Sequence, residues 1–572
     1  MRIAIEFLRW LIAWARLGVA RLFGSVLAPR RLDVVKLRIE GKLAEGLASP
    51  ALFGFRWERR TYLLNVLEIL ERLSRDARVS AVVIEPSGLK AGWATLQTLR
   101  RSLERLRERG KKVILFLEEG DNGLTYLASV ADRVVMAPAG MLQLTGLRAE
   151  VLFLQGVLER AQVEPEFVRL GEYKSAAETF TRTSLSPAAR EALDSILDDL
   201  YDQLVSGIAV GRGLAPEQVN SLIDSGPYRA AEAKSAGLVD DILYEDELKD
   251  YVAALLDRPA DKMGIVEASA YVRYASPAAL PPGARVPFPR IALILAEGLI
   301  RVGRARTSQF GRAVGATTFC DAIRQAARDE RVSAIVLRVD SPGGSGLASD
   351  LIWREVQQAR EKKPVVVSMG DVAASGGYYL SMPSDWIVAE PATLTGSIGV
   401  IAGKFSLRGL YEMLGLVKET IDRGKRAGAH SDYRRFTKEE MKKLEAEVRA
   451  FYDDFVTKAA AGRGVAIEEM EEAAQGRVWT GRQALSRRLV DELGGIPEAI
   501  AAAKRRAEIP TDQPVSVELL PRPLPSLLAG LPMNPFRSAP ASVKDTIGLA
   551  ESLGAFRDGE PLALWPLLVK IT

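Results

Sequence analysis

Short apolar runs recur along the chain. VVKLRI (34–39), AVVIE (81–85), VILFL (113–117), IALILA (291–296), AIVLRV (334–339) and PVVVSM (364–369) are each bounded by turn-forming residues. That pattern predicts strands buried on both faces. Between the runs, the apolar positions switch to helical spacing. Ser186 and Pro187 supply an N-cap and a first-turn proline, ahead of Leu193, Ile196, Leu197, Leu200, Tyr201 and Leu204. Thr437 and Glu440 form a capping box ahead of Leu444, Val448, Phe451, Tyr452 and Phe455. Such alternation predicts an α/β fold with sheets covered by helices.

The pattern occurs twice. RVSAVVI (78–84) returns as RVSAIVL (331–337), an offset of 253. Tyr126, Asp132 and Pro138 match Tyr379, Asp385 and Pro391 at that offset, and LTG stands at 144–146 and again at 394–396. GLVDDI (237–242) is echoed by RLVDEL (488–493). Ordered matches at a nearly constant offset mean a tandem duplication. The predicted organisation is an amphipathic segment 1–27, a first domain 28–275, a linker 276–289, a second domain 290–511 and a Pro-rich tail 512–572. The tail has no counterpart between the copies.

Residues 1–27 are apolar and helix-favouring, but Arg2, Glu6, Arg9, Arg16 and Arg21 interrupt them. The longest charge-free window, Trp10–Ala15, is far short of the ~18–20 residues that span a bilayer. On a helix the charges fall on one face, and Leu11, Ile12, Trp14 and Leu22 populate the wide remainder. The segment is expected to lie in a membrane interface with its arginines toward lipid headgroups.

Composition narrows the chemistry. The chain of 572 residues has 77 Lys+Arg against 73 Asp+Glu, so no basic excess suggests a nucleic-acid partner. One Cys and one His exclude an internal disulfide and a Cys/His zinc site. No cofactor motif is present. A histidine base could come only from His430, which sits in the polar stretch GAHSDYRRF and reads as surface.

Two glycine-rich turns in the second copy follow predicted strands. In the first, Asp340-Ser341-Pro342-Gly343-Gly344-Ser345, paired glycines can aim successive N–H groups into one concavity. In the second, Gly370 to Tyr379, Ser375 is followed by Gly376 and Gly377 at a helix start, where the Gly376 N–H can face developing negative charge. A serine nucleophile needs a base, and a desolvated lysine can serve. Lys174, in Leu170-Gly171-Glu172-Tyr173-Lys174-Ser175, is the candidate. At the repeat offset Ser375 matches Asn122, Lys174 matches Ala427, and Gly343-Gly344 match Lys90-Ala91. Each copy has kept one half of a Ser–Lys pair.

SPGG at 341–344, AASGGY at 373–378, LTGSIG at 394–399 and GEYKSA at 171–176 resemble the signal peptide peptidase A family in its long, duplicated form. The resemblance covers roughly residues 30–500. It implies a crotonase/Clp-protease-like fold and a Ser–Lys dyad with Ser375 as nucleophile and Lys174 as general base. It also implies an oxyanion hole around Gly343, Gly344 and Gly376, with Ser397 hydrogen-bonded to the lysine. A homotetramer on the outer face of the cytoplasmic membrane, cutting signal-peptide remnants, is the implied biology. The long form carries a cleaner transmembrane helix than residues 1–27 provide. Two other functions fit the same superfold: an inactive membrane scaffold, or an acyl-CoA enzyme. The latter needs carboxylates near the glycine pair, where 338–349 offers only Asp340.

Overall fold

The six apolar runs are strands of two mostly parallel sheets built to one plan. The computed structural model describes residues 32–46, 61–275, 288–308, 311–521, 562–564 and 569–571. The amphipathic segment 1–27, nearly all of the linker and most of the tail lie outside the described residues. By packing, the chain forms two units. One holds the described residues up to Gly92 with Leu96–Gly146 and Leu204–Phe288; the other holds Trp93–Thr95, Leu147–Gln203 and the described residues from Pro289 onward.

In the first unit the strand order is Asp241–Ile242, Arg133–Met136, Lys112–Leu117, Ala81–Lys90, Val34–Ala44, Ile265–Glu267, all parallel. The second unit repeats it with Glu492–Leu493, Trp386–Ala389, Val365–Ala374, Val332–Ser341, Arg290–Glu297 and Ser516–Leu520, again parallel. The central strands do not alternate buried with exposed positions. Ile335, Val336 and Leu337 are all buried, as are Val365, Val366 and Val367, because helices cover both faces. The capping box at Thr437 and Glu440 starts helix Lys438–Arg463, whose Leu444, Val448, Tyr452 and Phe455 enter the core. Helix Pro187–Arg212 begins where Ser186 Oγ accepts from the Ala189 N–H.

Among the described residues the second unit adds a sheet with no equivalent in the first. Its order is Arg306–Ser308, Gly311–Gly315, Leu299–Arg301, Gly343–Ser345, Leu562–Leu564, Val400–Ser406, Glu164–Leu170. The last pair is antiparallel over seven residues, Val400 opposite Leu170 through Ser406 opposite Glu164. This pairing draws Leu147–Gln203, which belongs to the first repeat copy in sequence, into the second unit, and Lys174 comes with it.

Candidate active site

Ser375 ends the strand Val365–Ala374 and caps the helix Gly376–Ser381. Its backbone has φ 55 and ψ −112, a sparsely populated conformation for a residue with a Cβ that costs about 1–3 kcal/mol. The surroundings hold it there. Its N–H donates to the Gly396 carbonyl (2.8 Å) and its carbonyl accepts from the Tyr379 N–H (2.8 Å). The sharp strand-to-helix turn sets the hydroxyl beside the glycine strand Gly343–Ser345. A Cβ built on Gly376 would lie 3.2 Å from the Gly344 nitrogen, so two of the three predicted oxyanion glycines are neighbours. The Gly343 N–H is already donated to Ser341 Oγ at 3.1 Å. Gly344 has φ +152, and a Cβ there would sit 2.1 Å from the Ile300 carbonyl oxygen; only glycine fits.

Lys174 approaches from the turn after strand Glu164–Leu170. Its Nζ lies 2.8 Å from Ser375 Oγ, 3.0 Å from Ser397 Oγ and 3.1 Å from the Ser397 carbonyl oxygen. Lys174 and Ser397 are each 1% exposed and Ser375 is wholly buried. Burial pulls the Lys174 ammonium down to about 7, with no carboxylate opposing the shift. Three hydroxyl or carbonyl oxygens around one amine give a proton-accepting nitrogen in hydrogen-bond reach of a serine hydroxyl. Ser397 is itself held at φ 53.

The structure thus brings Ser375, Lys174, Ser397, Gly344 and Gly376 together, with Gly343 shaping the turn beside them. The other sequence candidates fall elsewhere. His430 is exposed in a turn. Cys320 is buried and its thiol is pushed up to about 11. In the first unit Asn122, the register-mate of Ser375, is used as a clamp. Its amide donates to the Gly146 carbonyl (2.9 Å), and its Oδ1 accepts from the Thr145 and Gly146 N–H groups. Among the described residues no group of three or more His, Cys, Asp and Glu side chains could hold a metal ion.

One element of the site gave no sequence signal. The segment Gln475–Arg477 clips the lysine turn to the Ser397 turn. Gln475 O accepts from the Tyr173 N–H (2.8 Å), Gly476 N–H donates to Ile398 O (2.7 Å), and Arg477 O accepts from the Ser397 N–H (2.7 Å). The Arg477 guanidinium stacks 4.7 Å from the Tyr173 ring centroid and pairs with Glu191. A Cβ on Gly476 would lie 2.6 Å from Lys174 Cβ, so the lysine stem fills the space a side chain would need. Beside Ser397 a narrow cleft of about 30 Å³ opens, lined by Leu185, Ala189, Leu193, Ile196 and Val478.

Peptidase family S49 matches the chain twice, over residues 105–257 and 357–510, in the register of the internal repeat. The chain is 36% identical to serine protease SPPA, chloroplastic, of Arabidopsis thaliana, over 88% of this chain and 74% of that one. It is 30% identical to Protease 4 of Salmonella typhi, over 81% of this chain and 75% of that one. Among solved structures it is similar to a ClpP1 from Listeria monocytogenes at 15% identity, with a TM-score of 0.24 over 36% of this chain and 94% of that one.

Proposed function

The chain belongs to peptidase family S49, and from that premise we propose that this serine protease is a membrane-associated endopeptidase. It cuts released signal peptides and other apolar segments with a Ser375–Lys174 dyad. The observation that carries this is the 2.8 Å approach of a buried lysine amine to a serine hydroxyl in a site without opposing charge. Neutral Lys174 takes the Ser375 proton as Oγ attacks the peptide carbonyl. Gly344 and Gly376 N–H groups receive the oxyanion, each such donor being worth about 10²–10³-fold in rate. The Lys174 ammonium then returns the proton to the leaving amine. Water, deprotonated by the same amine, attacks the acyl carbonyl, and the ammonium returns that proton to Ser375 Oγ as the acyl–Oγ bond breaks. Ser397 holds Nζ in line through its hydroxyl and carbonyl. The Leu185–Val478 cleft favours an apolar residue beside the scissile bond.

Residues 1–27 hold the enzyme at the cytoplasmic membrane, with its protease domains on the outer face as a homotetramer. Among the described residues no helix is long and apolar enough to cross a membrane.

The test replaces Ser375→Ala and Lys174→Ala separately and follows cleavage of a synthetic signal peptide by the full chain. Each variant is expected to lose at least about 10³-fold in kcat/KM, with unchanged circular dichroism. Retained activity in either variant would refute the dyad.

A further inference from the structure

The strand Leu562–Leu564 lies beyond both repeat copies, in a segment that the duplication does not explain. It runs antiparallel to the glycine strand, with Leu564 opposite Gly343, Ala563 opposite Gly344 and Leu562 opposite Ser345. On its other edge Leu562 is opposite Ile401. It therefore fills a slot between the Gly343–Ser345 strand and the Val400–Ser406 strand. One wall of that slot carries Gly344, and the other follows Ser397 by three residues. The Leu562 side chain is 3% exposed and packs with Ala176, Ala177, Phe180 and Ile401, just past Lys174 in the chain. A second strand of the same segment, Val569–Ile571, pairs antiparallel with Ala149–Val151. Ile571 is packed against the cluster of Ile196, Leu200, Ala392 and Val478, of which Ile196 and Val478 line the cleft beside Ser397.

An extended peptide that reaches Ser375 must lay its backbone along the glycine strand to bring a carbonyl to the Gly344 and Gly376 N–H groups. Strand addition to a sheet edge is how extended ligands are commonly bound, with backbone bonds giving affinity and side-chain pockets giving selectivity. That edge is already taken by this chain. From this juxtaposition we propose that Leu562–Leu564 is a built-in competitor that occupies the substrate's strand position, with Leu562 seated where an apolar substrate side chain binds. Cleavage then requires the strand to leave, and apparent substrate affinity is scaled down by the fraction of molecules in which it has left. The functional consequence rests on the proteolytic role proposed above, whereas the occupancy does not.

The experiment uses the full chain and two variants, Leu562→Asp and the conservative Leu562→Met. A carboxylate in this apolar place loses its hydration without gaining a partner, so it should expel the strand. Leu562→Asp is expected to lower KM for a synthetic apolar peptide about tenfold or more with kcat nearly unchanged, and Leu562→Met to behave as the parent. A synthetic peptide of residues 561–572 should then inhibit Leu562→Asp competitively and the parent weakly. Amide hydrogen exchange at Gly344 and Ser345, measured with Ser375→Ala also present, reads occupancy without activity. Protection should be lost in the Asp variant and kept in the Met variant. Equal KM values together with unchanged exchange would overturn the proposal. Altered exchange with no peptide cleavage by either the parent or Leu562→Asp would instead overturn the proteolytic role. Loss of the 561–572 segment from the parent but not from Ser375→Ala would show a substrate rather than a resident competitor, and overturn it as well.

Discussion

Replacing Lys174 with methionine keeps much of the stem and removes the titrating amine. A solvated lysine titrates near 10.4, and burial brings Lys174 to about 7. The gap of roughly three pH units corresponds to about 4–5 kcal/mol of linkage. The unfolded chain binds the proton up to about pH 10.4, while the folded chain releases it above about 7. Lysine therefore lowers the stability of the parent fully below pH 7, less as pH rises, and not at all above about 10.4. The methionine variant has no such term. It does leave the Ser397 carbonyl and two hydroxyls with one partner fewer, at about 1–3 kcal/mol for each group left unsatisfied. That loss is independent of pH. The stability difference between parent and Lys174→Met should thus shift in the parent's favour by about 4–5 kcal/mol between pH 7 and 10.4. Urea denaturation followed by fluorescence at half-unit pH intervals measures it. In the same window kcat/KM of the parent should rise with a midpoint near pH 7. At that pH about half the molecules carry a neutral amine, against roughly one in 2,500 for a solvated lysine. A stability difference that stays flat from pH 7 to 10, or an activity limb near pH 10, would refute a desolvated lysine base.

Two further substitutions probe the frame around the dyad. Ser397→Ala removes one of three oxygens around Lys174 Nζ; kcat should fall about tenfold or more while KM for the peptide stays within twofold, read by steady-state kinetics. Gly476→Ala places a methyl 2.6 Å from Lys174 Cβ on a residue at φ +73. It should cost about 1–3 kcal/mol in stability and lower kcat, whereas Gly464→Ala, at a φ +62 helix end with open space around it, should lose stability alone.

Much of the site was legible before any coordinates. The Ser–Lys pairing came from register: two copies, each missing what the other keeps. The strand at Val365 and the helix start at Gly376 followed from an apolar run meeting small residues, which is local information. The oxyanion glycines were only partly legible. Gly343 and Gly344 look equivalent in the sequence, but the Gly343 N–H is donated to Ser341 Oγ, and that depends on a side-chain rotamer. Gly476 was invisible because its reason for being glycine is Lys174, some three hundred residues away in the chain.

Periodicity and repetition by themselves determined the α/β class, the duplication and the choice of Ser375 and Lys174 as the candidate pair, because burial patterns and ordered matches are written in the chain. Tertiary structure decided where the pair meets. The pairing of Glu164–Leu170 with Val400–Ser406 carries a lysine from the first copy into the second unit. It also decided how far that lysine is desolvated, and that a strand from beyond the repeat fills the slot beside the glycines. Those are long-range contacts between segments with no shared sequence pattern, and only packing selects them.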